Sequence, residues 1–181
     1  IMDLFELQMN NHLKDTAPLA ERMRPLRLED YVGQDHVVGR GKYIDRILRA
    51  RFLPSLLFYG PPGIGKTTLA EIVAKTSNRE FVALSAVTSN VKELRGVLAE
   101  AEDRLGGQGR ETVLFLDEIH RFNKSQQDVL LPYVEKGKII LMGATTENPY
   151  FYVNSALLSR LQVVQLNPLD DEAIKELLKR A

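Results

Sequence analysis

A glycine-rich octapeptide at positions 60–67 constrains this chain more than any other feature. It reads Gly-Pro-Pro-Gly-Ile-Gly-Lys-Thr and matches the pattern G-x-x-x-x-G-K-S/T. An apolar strand candidate at 55–59 precedes it, and helical spacing of apolar residues at 67–77 follows it. In such a turn, glycines let backbone N–H groups face inward around a phosphate, and the helix N-terminus adds further donors. The sequence therefore predicts a phosphate-binding loop, and this context disfavours a chance match.

The rest of the chain predicts an α/β fold. Apolar runs predict five strands, at 55–59, 81–85, 112–116, 139–144 and 163–166. Helical spacing falls between them, at 67–77, 89–105 and 125–135, and starts again at 170. Strands that alternate with helices predict a doubly wound five-stranded parallel sheet with helices on both faces. We also expect Gly106-Gly107 to end the second helix and Pro132 to kink or end the third.

Two carboxylates end the third strand candidate. Asp117 and Glu118 follow an apolar run about 50 residues after the glycine-rich loop. Parallel sheets bind ligands at the carboxyl ends of their strands, so both side chains should emerge beside that loop. Asp117 and the Thr67 hydroxyl then suit a Mg²⁺ ion, Lys66 suits the β- and γ-phosphate oxygens, and Glu118 suits a general base. An ordinary solvated strand end is the alternative.

Composition sets limits on what the chain can be. Its 181 residues suit one domain with a full-sized core, and its lack of cysteine excludes disulfides and thiolate metal sites. No apolar run approaches the length of a membrane span, so we expect a cytoplasmic protein with no membrane partner. The 24 basic and 24 acidic residues argue against strong DNA binding by this piece alone. They leave room for a local basic patch or for DNA binding by an oligomer.

The motifs resemble a known superfamily. Residues 60–68, together with Leu-Asp-Glu-Ile-His at 116–120, are similar to the AAA+ ATPases. Three stretches, 18–25, 117–128 and 143–149, resemble more narrowly the replication-associated recombination protein A family of the clamp-loader clade. The resemblance covers residues 18–181. It implies a P-loop NTPase core that binds ATP with Mg²⁺ and acts as an ATPase.

The resemblance also implies site residues. The nucleotide-binding set would be Val32, Gly33, Gly60, Pro61, Pro62, Gly63, Ile64, Gly65, Lys66, Thr67 and Thr68. Thr146 lies where this family places a polar sensor of the attacking water or γ-phosphate, although a threonine that caps the strand end is the alternative. Arg160 is similar to the arginine finger of clamp loaders, which acts on the neighbouring subunit. A surface ion pair is the alternative for Arg160, and a hydrogen bond beside the site is the preferred interpretation of His120.

The domain plan combines the residue pattern with this resemblance. Residues 1–17 are predicted to be a flexible tail, 18–168 the α/β nucleotide-binding domain, and 169–181 the first helix of a helical lid, capped by Asp170. We expect a truncated piece of a longer protein, with weak activity of its own. Leu4-Phe5 resembles the short peptides that dock on bacterial sliding clamps, but such pairs are common by chance.

The family suggests a function. It implies a DNA-dependent ATPase, nucleoid-associated, that serves replication-fork maintenance, DNA repair and recombination as a homo-oligomer at single-strand/duplex junctions. A sliding clamp or a single-strand-binding protein is the candidate protein partner. One alternative is a Holliday-junction branch-migration motor, since Gly-Ala-Thr-Thr at 143–146 also occurs there. Others are a nucleotide-switched clamp-loader-like scaffold, which the presence of Glu118 disfavours, and a small-molecule kinase.

Overall fold

The fold is built on a five-stranded parallel sheet. The structure is a computed structural model and describes residues 18–181, so the predicted tail with Leu4 and Phe5 lies outside the described residues. The strand order is β2-β3-β4-β1-β5, and every neighbouring pair is parallel. The strands are β1 Leu56–Tyr59, β2 Glu80–Ser85, β3 Thr112–Asp117, β4 Ile140–Thr145 and β5 Gln162–Gln165. The predicted sheet is therefore confirmed, with strand bounds that differ by about one residue.

Helices precede β1, occupy the connections between the strands and follow β5. The four long ones are α4 Lys66–Thr76, α5 Val91–Gln108, α6 Lys124–Glu135 and α9 Asp171–Arg180. The shorter ones are α1 Leu19–Arg22, α2 Asp35–Val38, α3 Tyr43–Arg49, α7 Pro149–Tyr152 and α8 Ser155–Leu158, with 3₁₀ turns at Leu28–Asp30 and Ile119–Arg121. Among residues 18–181, no helix combines the length and apolarity needed to cross a membrane.

Apolar side chains cover both faces of the sheet. Successive residues of a strand point to opposite faces, so Leu56 and Phe58 join one buried cluster while Leu57 joins another. The first cluster packs with α3 and α4 and includes Leu69. The second packs with α5 and α6 and includes Leu98. Because both faces are buried, the strands read as continuous apolar runs, as a doubly wound sheet requires.

One local prediction about a helix end is wrong. Helix α5 continues through Gly106 and Gly107 to Gln108, and the chain leaves it at Gly109 with a φ of 64°. A left-handed residue just past the last turn is the usual glycine stop, and Gly109 provides it in place of the earlier pair. Helix α6 continues through Pro132 and ends at Glu135, the end that the apolar spacing predicted, so Pro132 does not end it. The predicted cap of α9 is confirmed, since Asp170 Oδ1 accepts a hydrogen bond of 2.7 Å from the Ala173 amide.

The register brings the carboxyl ends of four strands to one edge of the sheet. Tyr59 at the end of β1 pairs with Thr145 at the end of β4, and Ser85 at the end of β2 pairs with Asp117 at the end of β3. The Gly60 amide extends this pattern by donating to the Thr145 carbonyl at 3.1 Å. Residues that directly follow β1, β3 and β4 therefore meet at the carboxyl edge of the sheet.

Candidate functional site

The loop between β1 and α4 has a backbone that only glycine accommodates easily. Gly63 and Gly65 have φ values of 73° and 90°, in the left-handed region. Gly60 has no room for a side chain, because a Cβ there would lie 2.7 Å from the Leu166 carbonyl oxygen. Helix α4 begins at Lys66, directly after the loop. The loop thus turns into a helix N-terminus whose first amides have no partner within the helix, as an anion site requires.

Lys66 is held inside this phosphate loop. Its Nζ donates to the carbonyl oxygens of Gly60 at 2.6 Å and Pro61 at 3.0 Å. An ammonium group has three donors, so one more remains for a phosphate oxygen. Burial lowers the pKa of Lys66 below its ordinary value, and the charges of Asp117 and Glu118 partly offset that shift. The loop therefore carries a positive charge surrounded by its own carbonyls.

Asp117 and Glu118 stand where β3 ends. Asp117 is the last residue of the strand, and its Oδ1 accepts a hydrogen bond of 2.9 Å from the Glu118 amide. Glu118 has a φ of 52°, an uncommon conformation for a residue with a side chain and one that costs about 1–2 kcal/mol. It leads the chain into the 3₁₀ turn, where Ile119 is fully buried. Backbone strain of this kind clusters at functional sites.

One cavity of about 210 Å³ brings the predicted polar residues together. We call it the phosphate cavity. Residues from the phosphate loop, from the end of β3 and from the turn after β4 line it, with one arginine from the N-terminal segment. The full lining is Arg24, Pro62, Gly63, Gly65, Lys66, Thr67, Thr68, Asp117, Glu118 and Thr146. Sequence reasoning identified all of these as site residues except Arg24, which lies in the family-like stretch 18–25 but was assigned no role there.

The donor set in this cavity suits Mg²⁺. Thr67 offers a hydroxyl and Asp117 a carboxylate, and both are hard oxygen ligands. Within residues 18–181, no group of three or more histidine, cysteine, aspartate or glutamate side chains could hold a metal ion. Magnesium sites of phosphate-handling proteins combine one or two protein ligands with substrate phosphates, and this arrangement fits that pattern.

The turn after β4 is fixed by Thr145 and His120. The Thr145 hydroxyl lies 2.9 Å from His120 Nδ1 and accepts a hydrogen bond of 3.0 Å from the Glu147 amide. His120 also packs edge-on against the Tyr152 ring, with the centroids 6.1 Å apart. The hydrogen bond predicted for His120 is thus present. Thr145 is 1% exposed and positions the next residue, Thr146, in the cavity.

Val32 and Gly33 differ in their access to the phosphate loop. Val32 lines a cavity of about 140 Å³, which shares Gly63, Gly65 and Thr68 with the phosphate cavity. We call it the side cavity. Gly33 does not line the side cavity, but it lines a larger cavity of about 720 Å³, to which Val32 also contributes. The structure therefore brings Val32 to the phosphate loop but not Gly33.

Arg160 lies outside the phosphate cavity. Its guanidinium forms an ion pair of 2.8 Å with Glu135 and donates to the Ala156 carbonyl at 2.7 Å. About 40% of each of the two paired side chains is exposed. Within one copy of the chain, Arg160 is therefore a surface arginine in a salt bridge.

Comparisons with known proteins agree with this geometry. The model of the ATPase family associated with various cellular activities (AAA) matches residues 56–169. "Replication-associated recombination protein A" of Haemophilus influenzae is 51% identical over 168 residues, which is 92% of this chain and 37% of that protein. The namesake protein of Escherichia coli K12 is 51% identical over 164 residues, which is 91% of this chain and 36% of that protein. The chain thus spans little more than a third of these relatives.

Other matches broaden the comparison. "ATPase WRNIP1" of Dictyostelium discoideum is 51% identical over 167 residues, which is 92% of this chain and 19% of that protein. The RuvB Holliday junction branch migration motor of Thermotoga maritima superimposes with a TM-score of 0.70 at 29% identity. That match covers 87% of this chain and 53% of the motor. The resemblance drawn from the motifs is confirmed, and so is the fold it implied.

Proposed function

This chain belongs to the ATPase family associated with various cellular activities, and from that premise we propose that it binds ATP with Mg²⁺ and hydrolyses it. The observation that carries the proposal is the phosphate cavity, which gathers Lys66, Thr67, Asp117, Glu118 and Thr146 from three strand ends. No single stretch of sequence holds these five groups. Their meeting at one edge of the sheet is what phosphoryl transfer requires, because that chemistry depends on positioning and charge.

Each binding residue has a distinct task. The backbone amides of residues 60–68 surround the phosphates, and the Lys66 ammonium neutralises the β- and γ-phosphate oxygens. Thr67 and Asp117 hold the Mg²⁺ ion, which neutralises charge on the phosphates when it is bound. Val32 packs against the adenine base of the nucleotide in the side cavity, and Gly33 supports this segment by packing closely against Leu169. A Cβ at residue 33 would lie 2.7 Å from Leu169 Cδ2, so a glycine is needed for this close packing.

The hydrolytic step is carried by two groups. The Glu118 carboxylate accepts a proton from a water molecule as that water attacks the γ-phosphorus, and the bond from this phosphorus to the bridging oxygen breaks. Thr146 orients the water or a γ-phosphate oxygen through its hydroxyl. Asp117 supports Glu118 through its hydrogen bond to the Glu118 amide. This bond helps to hold the left-handed backbone that directs Glu118 into the cavity.

Arg160 acts on a neighbouring copy. Its position outside its own phosphate cavity supports an arginine finger in trans, which stabilises negative charge in the transition state. The Glu135 ion pair is exposed, and exposed pairs contribute about 0–1 kcal/mol, so Arg160 can exchange this partner for a phosphate at little cost. The active form would be a homo-oligomer.

The relatives suggest the biological setting. Two of them are named for replication-associated recombination. We therefore place this chain in a DNA-dependent ATPase of replication-fork maintenance, repair and recombination that acts on single-strand/duplex junctions. Since the chain carries no excess of basic residues, DNA binding would belong to the assembled complete protein and would weaken with salt.

A second function is favoured by the solved structures. The RuvB proteins, one of which is described as a Holliday junction branch migration motor, share the fold at 29% identity. This supports branch migration as the alternative to junction-stimulated ATP hydrolysis. The higher identity of 51% to the recombination proteins favours the first function.

Steady-state ATP hydrolysis by the natural full-length protein tests the proposal. It would be measured without DNA, with a single-strand/duplex junction and with a four-way junction, beside Glu118→Gln. Stimulation by the single-strand/duplex junction, abolished in the variant, is the expected result. Stronger stimulation by the four-way junction would favour the branch-migration motor. Nucleotide binding with no hydrolysis under any condition would point to a nucleotide-switched scaffold.

A further inference from the structure

Arg24 enters the phosphate cavity from a part of the chain that the family model does not cover. The match to the family begins at residue 56, whereas Arg24 lies in the irregular segment after α1. Its side chain is 37% exposed and lines the same cavity as Lys66, Asp117 and Glu118. Arg24 supplies the second cation of this cavity and balances its two carboxylates.

The ion contacts of Arg24 leave its guanidinium free to bind an anion. Within residues 18–181, its NH1 lies 3.5 Å from Glu21 and 3.7 Å from Glu71, both beyond a good hydrogen bond. Glu71 already accepts a hydrogen bond of 2.6 Å from Lys75. Arg24 also lines the phosphate cavity together with Thr67 and Thr68, so it lies near the first turn of α4. A cation so placed adds to the field of the helix N-terminus.

The neighbours of Arg24 in the chain locate it more closely. Met23 and Pro25 line the side cavity, while Arg24 between them lines the phosphate cavity. The chain therefore crosses the boundary between the two cavities at Arg24. Thr68 lines both cavities and marks the same boundary on the phosphate loop.

We propose that Arg24 binds the α-phosphate of the nucleotide, at the boundary between the side cavity and the phosphate cavity. This rests on the proposed function, in which the base occupies the side cavity and the β- and γ-phosphates lie against Lys66. The α-phosphate joins these two parts and therefore lies at their boundary. A guanidinium can donate two parallel hydrogen bonds to a phosphate, which a lysine cannot. Arg24 would thus serve ADP and ATP equally.

Equilibrium titration of the natural full-length protein with ATP and with ADP tests the assignment. The variant Arg24→Gln removes the charge and keeps much of the side-chain length. The matched control is Arg27→Gln, on the same segment but lining a different cavity. Arg24→Gln should weaken binding of ATP and ADP by the same factor, about tenfold, which is the scale of one charge-assisted hydrogen bond. Arg24→Lys should weaken the binding of both nucleotides by a smaller factor than Arg24→Gln.

The alternatives give different results. A loss confined to ATP would overturn the α-phosphate assignment, because it would place Arg24 at the γ-phosphate. Unchanged affinity for both nucleotides in Arg24→Gln, with normal binding by the unaltered protein, would overturn any role in binding. A failure of the unaltered protein to bind ATP would instead reject the proposed function itself. Thermal melting without nucleotide should be the same for Arg24→Gln and Arg27→Gln, which separates a binding defect from a folding defect.

Discussion

The Tyr31 hydroxyl lies against Gly65, the last glycine of the phosphate loop. It is 3.1 Å from the Gly65 carbonyl oxygen and 3.0 Å from that of Ile64, and a Cβ on Gly65 would lie 3.0 Å from it. Burial raises the pKa of Tyr31, so the hydroxyl stays protonated and remains a donor. Residue 31 thus fixes the turn that opens α4, and its neighbour Val32 lines the side cavity.

Replacing Tyr31 by phenylalanine should loosen this turn. The ring would keep its packing while two carbonyl oxygens lose their donor, which costs about 1 kcal/mol of unfolding free energy. We expect ATP affinity to fall about fivefold, because the loop is less well ordered for the phosphates. Denaturant unfolding and nucleotide titration measure the two effects.

A matched control exists in Tyr43→Phe. Tyr43 is half-buried, and its hydroxyl makes no hydrogen bond to any residue within 18–181. This variant should leave ATP affinity unchanged. Equal losses of affinity in both variants would show that Tyr31 has no specific effect on the loop.

Lys66 makes nucleotide binding sensitive to alkaline pH. Its pKa is lowered by burial below the ordinary 10.5, so it loses its charge earlier than a free lysine as pH rises. ATP affinity should therefore fall at a pH below 10.5. The contribution of Lys66 to the unfolding free energy changes in the opposite direction. Between the lowered pKa and 10.5 the unfolded chain binds more protons than the folded chain, so this free energy rises with pH.

Nucleotide titration between neutral pH and the ordinary lysine pKa measures this dependence. The variant Lys66→Arg keeps its side-chain charge over this whole pH range, so its remaining affinity for ATP should not depend on pH. An affinity of the unaltered protein that stays constant up to 10.5 would contradict the lowered pKa.

Glu118 and Arg160 should complement each other across subunits. Glu118→Gln removes the general base from its own cavity, and Arg160→Ala removes the finger from the neighbouring one. Each variant alone should lose about 10³-fold of the hydrolysis rate of the natural full-length protein. A mixture should recover activity, because some interfaces combine an intact Glu118 with an intact Arg160. No recovery, in subunits that are shown to mix, would place Arg160 in cis.

The sequence predicted those site residues that belong to short motifs of consecutive residues. A loop pattern between a strand and a helix located Lys66 and Thr67, and an apolar run located Asp117. These predictions succeed because parallel sheets place the carboxyl ends of their strands together. The left-handed conformation of Glu118 left no such trace, because a positive φ is uncommon for residues other than glycine and glutamate does not signal it.

The contacts missed by sequence reasoning join residues that are distant in the chain. Tyr31 meets Gly65 across 34 positions, and the buried Gln34 side chain bonds the backbone of Asn167 across 133. No local period or cap encodes such pairs. The misplaced end of α5 has a different cause, since three nearby glycines offered alternative stops and only Gly109 takes the left-handed conformation.

Gly33 should be intolerant of alanine for two separable reasons. Its φ of 82° is strained for any residue with a Cβ, and that Cβ would lie 2.7 Å from Leu169 Cδ2. Gly33→Ala should therefore reduce the unfolding free energy by about 2 kcal/mol or more, from backbone strain and overpacking together. Adding Leu169→Ala removes the contact but not the strain, so the double variant should lose less than the sum of the two single losses. Denaturant unfolding of the four proteins measures this coupling, and strictly additive losses would mean that Gly33 and Leu169 do not interact.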